Sequence, residues 1–330
     1  MPGSLVGGES AYWKCVPMLM PVVMVVAGVP LLAVAADHLV LGCARVARRL
    51  GLSAVLVGVV VIGAGTSAPE LLVSTSAAAA GHGDLAVGNL IGSNIINVTL
   101  VLGAAGLTGP LLVRSSVLRR EAPLSVGAVA VFAVLVLRGL NALAGLLLTV
   151  LLAAALAWLL RTARGQKDDL LAGEVEEAVD GAHPHRLPGE VLRAVAGLGG
   201  TLAGAQLLVT GGADVAARLG VSQQVIGFTL VAAGTSLPEL VTSLHAQRRG
   251  EADLLVGNLL GSNVLNSLAG GAVIAFAAPT VVRPDSAAVV AAMVGVMGLA
   301  WALLARNRRL TRVESAALAA IYLLILPLLS

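Results

Sequence analysis

Residues 63–97 read GAGTSAPELLVSTSAAAAGHGDLAVGNLIGSNIIN, and the chain repeats this pattern at 232–266 as AAGTSLPELVTSLHAQRRGEADLLVGNLLGSNVLN. Aligned at a constant offset of 169 residues, the 47-residue windows that begin at Gly51 and Gly220 agree at 23 positions without a gap. Agreement of this kind indicates a duplicated functional unit, so each feature of one copy can be checked against the other.

The first half of each copy predicts a broken helix with oxygen atoms gathered at the break. In a helix, the three- and four-residue spacing of Thr66, Ser67 and Glu70 would place two hydroxyls and a carboxylate on one face. Pro69 lacks a backbone N–H and disfavours helical backbone in the preceding residue, and the neighbouring glycines loosen the same turn. We therefore expect freed backbone carbonyls beside these side chains. Such a set of oxygens suits a hard cation, for example Ca2+ or Na+.

The second half of each copy predicts a helix with one polar stripe. Asn89, Ser93 and Asn97 follow one another at four-residue steps in an apolar segment, and they can face the broken turn. A carboxylate inside an apolar span is costly and indicates a functional site. The second copy repeats the whole set as Thr235, Ser236, Pro238, Glu239, Asn258, Ser262 and Asn266.

GTSAPE with GSNIIN, repeated as GTSLPE with GSNVLN, resembles the alpha-repeats of the cation/Ca2+ exchanger superfamily, most closely its prokaryotic sodium/calcium exchanger branch. The resemblance implies that Glu70 and Glu239 are the central shared ligands. It implies further ligands from the third and eighth spans and a set of Na+ ligands near the breaks. The ligands implied in the third and eighth spans are Asn97, Ser93, Ser262 and Asn266. The implied Na+ ligands are Thr66, Ser67, Thr235 and Ser236, with the backbone carbonyls of Gly63 and Ala232.

One position departs from part of the family. Some microbial relatives have Asp where this chain has Asn266, so the central ligand set carries one negative charge fewer here. The number of ions moved in each cycle, and any coupling to protons, therefore stay open at this point.

Composition predicts an all-α polytopic membrane protein. The chain is 58% hydrophobic and 12% charged, with a mean hydropathy of +0.94. A span needs about 20 apolar residues, fewer where neighbours shield its ends. Ten segments qualify as transmembrane helices, and the second and seventh are those with the broken turn: 18–42, 53–80, 85–107, 122–137, 141–160, 191–213, 221–246, 254–278, 286–304 and 314–329.

Basic residues predict the orientation of these spans. With the N-terminus outside, 17 Lys and Arg residues fall in inside loops and 4 in outside segments, which favours N-out and C-out. Five spans in each half make the two repeats inverted. The predicted units are 1–160, with the first alpha-repeat at about 51–107, then a charged cytoplasmic linker at 161–190, then 191–330, with the second alpha-repeat at about 220–278.

Inverted repeats around central carboxylates are typical of secondary transporters that work by alternating access. We therefore predict an antiporter, not an enzyme, that exchanges Na+ for Ca2+ across a bacterial plasma membrane. Ca2+ and Na+ would be transported ions rather than cofactors, the lipid bilayer is the expected partner, and no nucleic acid or obligate protein partner is implied. Two negative charges match one Ca2+, and several Na+ ions could compete for the same oxygens.

Three other functions are weighed against this one. A proton/Ca2+ antiporter of the same superfamily would use the same glutamates, but it has no need for the paired Thr-Ser hydroxyls. An intramembrane hydrolase would need different environments for its acid and its base, whereas the two motifs are alike. A passive channel would conduct without a counter-ion, which a flux assay can test.

Overall fold

The computed structural model describes residues 18–50, 57–113, 119, 121–164, 187–219, 232–278, 280–284 and 286–329. Residues 165–186 of the predicted linker and 220–231, at the start of the second alpha-repeat, lie outside this description. The two ends of the predicted linker belong to helices, because one helix continues to Arg164 and the next begins at Leu187.

The first half consists of helices and one short strand: α1 (Leu19–Leu50), α2 (Gly58–Thr66), α3 (Ala68–Ala79), α4 (Gly83–Thr108), β1 (Leu111–Leu112), α5 (Glu121–Arg138) and α6 (Ala142–Arg164). The second half has the same order: α7 (Leu187–Arg218), α8 (Ala232–Thr235), α9 (Leu237–Arg248), α10 (Ala252–Ala277), α11 (Ala287–Asn307), β2 (Arg309–Leu310) and α12 (Arg312–Leu329).

The helices confirm the predicted all-α membrane architecture. In the described part, seven helices are long and apolar enough to cross a membrane, and the bent pair of α2 and α3 is an eighth candidate. Large apolar side chains such as Leu143, Leu324 and Leu72 are exposed on the outer surface, where lipid would cover them. The total of ten spans stays a prediction.

Helices α1 and α7, the first of each half, pack along each other in opposite directions. Gly28 of α1 lies against Leu208, near the end of α7, whereas Gly42 lies against Ala194, near its start. A Cβ added at Gly42 would be 2.8 Å from the backbone nitrogen of Ala194, so only glycine allows the two backbones to approach this closely. Equivalent helices that run antiparallel are what an inverted duplication requires.

Helix α2 crosses α10 of the other half through a second set of glycines. A Cβ at Gly58 would lie 2.6 Å from the carbonyl oxygen of Leu254, and one at Gly261 would lie 2.5 Å from the Cα of Val59. This contact fixes the broken span of one copy against the polar helix of the other copy.

Two small backbone contacts join the halves at opposite ends of the molecule. At one end, β1 pairs antiparallel with β2, with Leu111 opposite Leu310. At the other end, Leu140 and Val282 form an isolated antiparallel bridge. The two contacts are related by the 169-residue offset between the copies. Val282 corresponds to residue 113, directly after β1, and Leu140 corresponds to residue 309, the first residue of β2.

The Arg-rich helix ends lie together at the end of the molecule that holds β1 and β2. Arg45 near the end of α1 forms an ion pair with Glu190 at the start of α7. Gln247 near the end of α9 donates to the carbonyl of Gly109, which follows α4. These contacts bring together segments that the distribution of Lys and Arg predicts to lie on the same side of the membrane.

Candidate functional site

The predicted break in the second span is present as a bend. Helices α2 and α3 meet at an angle of 50° around Ser67, and Pro69 is in the first turn of α3, where its missing N–H costs no hydrogen bond. The second copy breaks at the equivalent Ser236, between α8 and α9. Each glutamate is therefore in the first turn of a new helix.

Each carboxylate receives a hydroxyl from the other copy. Ser67 donates to Oε1 of Glu239 at 3.2 Å, and Ser236 donates to Oε1 of Glu70 at the same distance of 3.2 Å. Glu70 and Glu239 are fully buried. The two broken turns thus face each other and form one site.

Further hydroxyls and amides surround this pair. Ser262 of α10 also donates to Oε1 of Glu239, at 3.3 Å. The hydroxyl of Thr66 lies 3.2 Å from the side-chain oxygen of Asn258 and 3.0 Å from the backbone carbonyl of Ile62, and these two acceptors share its single hydrogen. The polar stripe of α10 therefore reaches the broken turn of the other copy, a pairing between copies that the sequence did not predict.

Helices α4 and α10 each contain a wider, π-helical turn at the last residue of their polar stripe. A π-helical turn begins at Asn97 in α4, and a second one, Leu265–Gly270, contains Asn266 in α10. π-Helical turns are rare in proteins, and those that occur are often found at functional sites. These turns were not predictable from the sequence, because helix periodicity alone carries no signal for a single wide turn.

All the predicted side chains of the site that the structure describes are buried. They are Thr66, Ser67, Glu70, Ser93, Asn97, Thr235, Ser236, Glu239, Ser262 and Asn266. Ala232 begins α8 at the position equivalent to Gly63. That the carbonyl of Gly63 helps to bind Na+ stays a prediction. Its oxygen accepts a hydrogen bond from the backbone N–H of Ser67 at 3.1 Å. Only its second lone pair stays available.

Four side-chain oxygens of this cluster are buried and have no hydrogen-bond partner among the described residues. They are Oε2 of Glu70, Oε2 of Glu239, Oδ1 of Asn97 and Oδ1 of Asn266. Buried polar atoms without a partner are costly and rare. Carboxylate and amide oxygens are ligands that a dehydrated hard cation prefers.

The sequence did not single out two buried asparagines that neighbour the predicted site residues. Asn263 accepts a hydrogen bond from Nδ2 of Asn97 at 3.0 Å, and Nδ2 of Asn94 lies 3.1 Å from the hydroxyl of Ser267. Both belong to the repeated GSN sequence, so the duplication itself was the signal that could have found them.

A second polar cluster lies between α1 and the end of α9. Arg249 binds both carboxylate oxygens of Asp37, at 2.7 and 2.6 Å, and His245 contacts the same carboxylate at 3.3 Å. The hydrogen bond to Asp37 raises the pKa of Arg249. We call these three residues the Asp37 cluster; it ties α1 to the helix that carries Glu239.

Comparisons with known proteins agree with the geometry. The profile of the family described as "Sodium/calcium exchanger protein" matches residues 20–161 and 190–330. CaxA of Alkalimonas amylolytica is 37% identical over 310 residues, which cover 90% of this chain and 94% of that protein. The sodium/calcium exchanger MaX1 of Methanosarcina acetivorans is 27% identical over 272 residues, 72% of this chain and 78% of the relative. A structure of the sodium-calcium exchanger NCX_Mj superposes with a TM-score of 0.82 at 29% identity, covering 94% of this chain and 99% of that one.

Proposed function

The chain belongs to the sodium/calcium exchanger family, and from this premise we propose that it is a secondary active antiporter that exchanges Na+ for Ca2+ at the site around Glu70 and Glu239. The observation that carries the proposal is the set of four buried side-chain oxygens without partners. Two come from carboxylates, so their summed charge matches one Ca2+, and the amide oxygens add neutral ligands.

Competition between the two ions follows from the shared ligands. Three serine hydroxyls, those of Ser67, Ser236 and Ser262, already contact the carboxylates, and together they offer smaller all-oxygen subsites for Na+. Ca2+ and Na+ would use the same carboxylate oxygens and so could not occupy the site together. Mutually exclusive occupancy is the physical basis of exchange.

Alternating access is the transport mechanism that this arrangement supports. The antiparallel pair of α1 and α7 and the related contacts at both ends of the molecule fit two inverted halves around a central site. Equivalent movements could then open the site toward either face. The halves would reorient only when bound cations neutralise the two carboxylates, because an unpaired charge is costly to move through an apolar environment.

We propose a bacterial plasma membrane location, with both termini outside and the linker at 161–190 in the cytoplasm. The support is the excess of basic residues in the predicted inside loops. A C-terminal fusion to alkaline phosphatase is expected to be active and a C-terminal fusion to green fluorescent protein dark. The reverse pattern would overturn the orientation without affecting the site.

Transport of radioactive calcium tests the function. Proteoliposomes loaded with Na+ are expected to take up 45Ca2+, whereas vesicles loaded with choline are not. Glu70→Gln is expected to abolish uptake, because it removes one of the two charges that hold the cation. Glu314→Gln is the matched control, since Glu314 caps α12 through Thr311, outside the site.

Two results would contradict the proposal. Uptake driven by an outward proton gradient as well as by Na+ would indicate a proton/Ca2+ antiporter. Uptake that needs no counter-ion would indicate a channel.

A further inference from the structure

Asn94 and Asn263 each contact a methionine of α11, a helix outside the duplicated motif. Nδ2 of Asn263 lies 3.9 Å from the sulfur of Met297, and Nδ2 of Asn94 lies 3.5 Å from the sulfur of Met293. Both asparagines are almost fully buried. The two methionines are four residues apart, so they share one face of α11.

The sulfur of Met297 decides which way the amide of Asn263 faces. The two ends of an amide have nearly the same shape, and the atoms around it determine which end is oxygen. A thioether can accept a hydrogen bond but cannot donate one, so the N–H2 of Asn263 faces Met297. The oxygen of Asn263 then faces Asn97.

The orientation of Asn97 follows in the same way. Its Nδ2 donates to the oxygen of Asn263 at 3.0 Å, so its own Oδ1 faces the opposite way. That oxygen is one of the four buried acceptors without a partner. A chain of contacts therefore runs from Met297 through Asn263 to Asn97, and each member sets the orientation of the next.

We propose that Asn263 is a positioning residue for the cation site, with Met297 behind it, and that it presents the oxygen of Asn97 to the cation. This inference rests on the proposed function. Without Asn263, the amide of Asn97 could turn its N–H2 toward the cation, and an N–H donor repels a positive charge. Residues that orient a ligand in this way commonly change metal affinity by roughly 10- to 100-fold.

The first copy has the same amide but a different connection. Asn94 donates to Ser267 and contacts Met293, whereas the side chain of Asn266 makes no hydrogen bond to any residue in the described part of the chain. The duplicated helices α5 and α11 also differ at these positions. The positions in α5 that correspond to the two methionines are Leu124 and Ala128, so α11 supplies the sulfur for both asparagines and α5 supplies none.

The test compares Asn263→Leu with Asn94→Leu, two equally buried positions of the same motif. The full-length purified protein is titrated with Ca2+ in Na+-free buffer by isothermal titration calorimetry. We expect Asn263→Leu to raise the Kd for Ca2+ roughly 10- to 100-fold. Asn94→Leu is expected to change it less than about threefold, because Asn94 contacts no ligand of the site. Equal weakening by the two substitutions would overturn the assignment.

A second experiment, in a protein that carries Asn97→Asp, separates the effect of Asn263 on the orientation of residue 97 from its effect on packing. In the Asn97→Asp background either oxygen of the new carboxylate can face the cation, so orientation no longer matters. Adding Asn263→Leu there is expected to change the Kd less than about threefold. A loss of affinity as large as in the Asn97 background would show that Asn263 has only a packing role.

A milder pair of variants covers the case in which Asn263→Leu fails to fold. Met297→Leu is expected to weaken Ca2+ binding more than Met293→Leu, since both keep the side-chain volume and only Met297 acts on Asn97. No difference between them would contradict the proposal. Failure of the wild type to bind and exchange Ca2+ would instead refute the proposed function.

Discussion

At the scale of single residues, the site is built by exchange between the two copies. Ser67 lies three residues before Glu70, yet its hydroxyl serves Glu239, and Ser236 serves Glu70 in return. The bend at Ser67 explains this, because it separates the serine from the helix face that carries Glu70. Neither copy contains a complete set of ligands.

Ser67→Ala is expected to weaken Na+ binding more than Ca2+ binding. The substitution removes a neutral ligand and a hydrogen bond that orients the carboxylate of Glu239, whereas Ca2+ depends more on the carboxylates themselves. The Na+ concentration for half-maximal exchange is expected to rise roughly tenfold. It is measured as Na+-driven 45Ca2+ flux at a series of internal Na+ concentrations.

Ser125→Ala is the control for this experiment. Ser125 is equally buried but donates to the backbone carbonyl of Leu260, away from the carboxylates. Ser236→Ala is expected to behave like Ser67→Ala, since the two bonds have the same length. An unchanged Na+ dependence in both site variants would mean that these hydroxyls are not Na+ ligands.

The identities of the site residues were predictable from the sequence, but their partners were not. Glu70, Ser67 and Pro69 mark a broken polar turn through their own covalent chemistry, and duplication makes the signal reliable. A contact such as Thr66 with Asn258 depends on how α2 crosses α10, which spacing along the chain does not encode. The hydrogen bond from the N–H of Ser67 to the carbonyl of Gly63 was not predictable for a related reason, since a bend redistributes backbone hydrogen bonds instead of simply breaking them.

At the scale of helices, glycine decides which elements can approach the site. Helix α2 lies close enough to α10 that Gly58 and Gly261 each face backbone atoms of the other helix. Composition, Pro and Gly predict the helices and their breaks. The π-turns at Asn97 and Asn266 were not predictable, because they depend on packing between the halves.

Gly261→Ala is expected to lower both stability and transport. The added Cβ would lie 2.5 Å from the Cα of Val59, so one backbone must shift. Overpacking of this kind typically costs about 1–3 kcal/mol. The expected result is a melting temperature several degrees lower in detergent, measured by size-exclusion chromatography after heating, with slower Na+/Ca2+ exchange.

The matched control for Gly261 is Gly298→Ala in α11. A Cβ at Gly298 meets no atom within 4 Å in the described structure, so this change is expected to leave the melting temperature unchanged or slightly higher. A Gly261→Ala protein as stable and active as the wild type would show that α2 and α10 can separate at little cost.

At the scale of the whole molecule, the two faces are equivalent in backbone but not in charge. The Asp37 cluster joins α1 to α9 on the face that carries β1 and β2. The positions that correspond to Asp37, His245 and Arg249 at the offset of 169 residues are Gln206, Ser76 and Ala80. These residues cannot form an ion pair, so the second face has no equivalent of the Asp37 cluster.

Asp37→Asn is expected to favour opening of the site on the face of the Asp37 cluster. A partly exposed ion pair contributes about 1 kcal/mol, so the population open on that side is expected to rise roughly fivefold. The measurement is the rate at which a membrane-impermeant maleimide labels Ser243→Cys from that side, in a protein with Cys15→Ala and Cys43→Ala. Ser243 is buried in α9, between Glu239 and His245.

Asp214→Asn serves as the comparison, because Asp214 pairs with Arg218 four residues later in the same helix. It is expected to leave the labelling rate unchanged. Equal rates for Asp37→Asn and Asp214→Asn would show that the Asp37 cluster does not influence which face opens.

The reciprocal bonds between Ser67 and Glu239 and between Ser236 and Glu70 also bear on the ancestry of the protein. Contacts of this type are self-complementary, as at the interface of a two-fold symmetric dimer. One half-length chain inserted in the membrane in both orientations could therefore complete both bonds by pairing with itself. Fusion of two such genes would leave the shared ligands constrained and free other positions to diverge. Asp37 and Gln206 now differ in this way, and so do Met297 and Ala128.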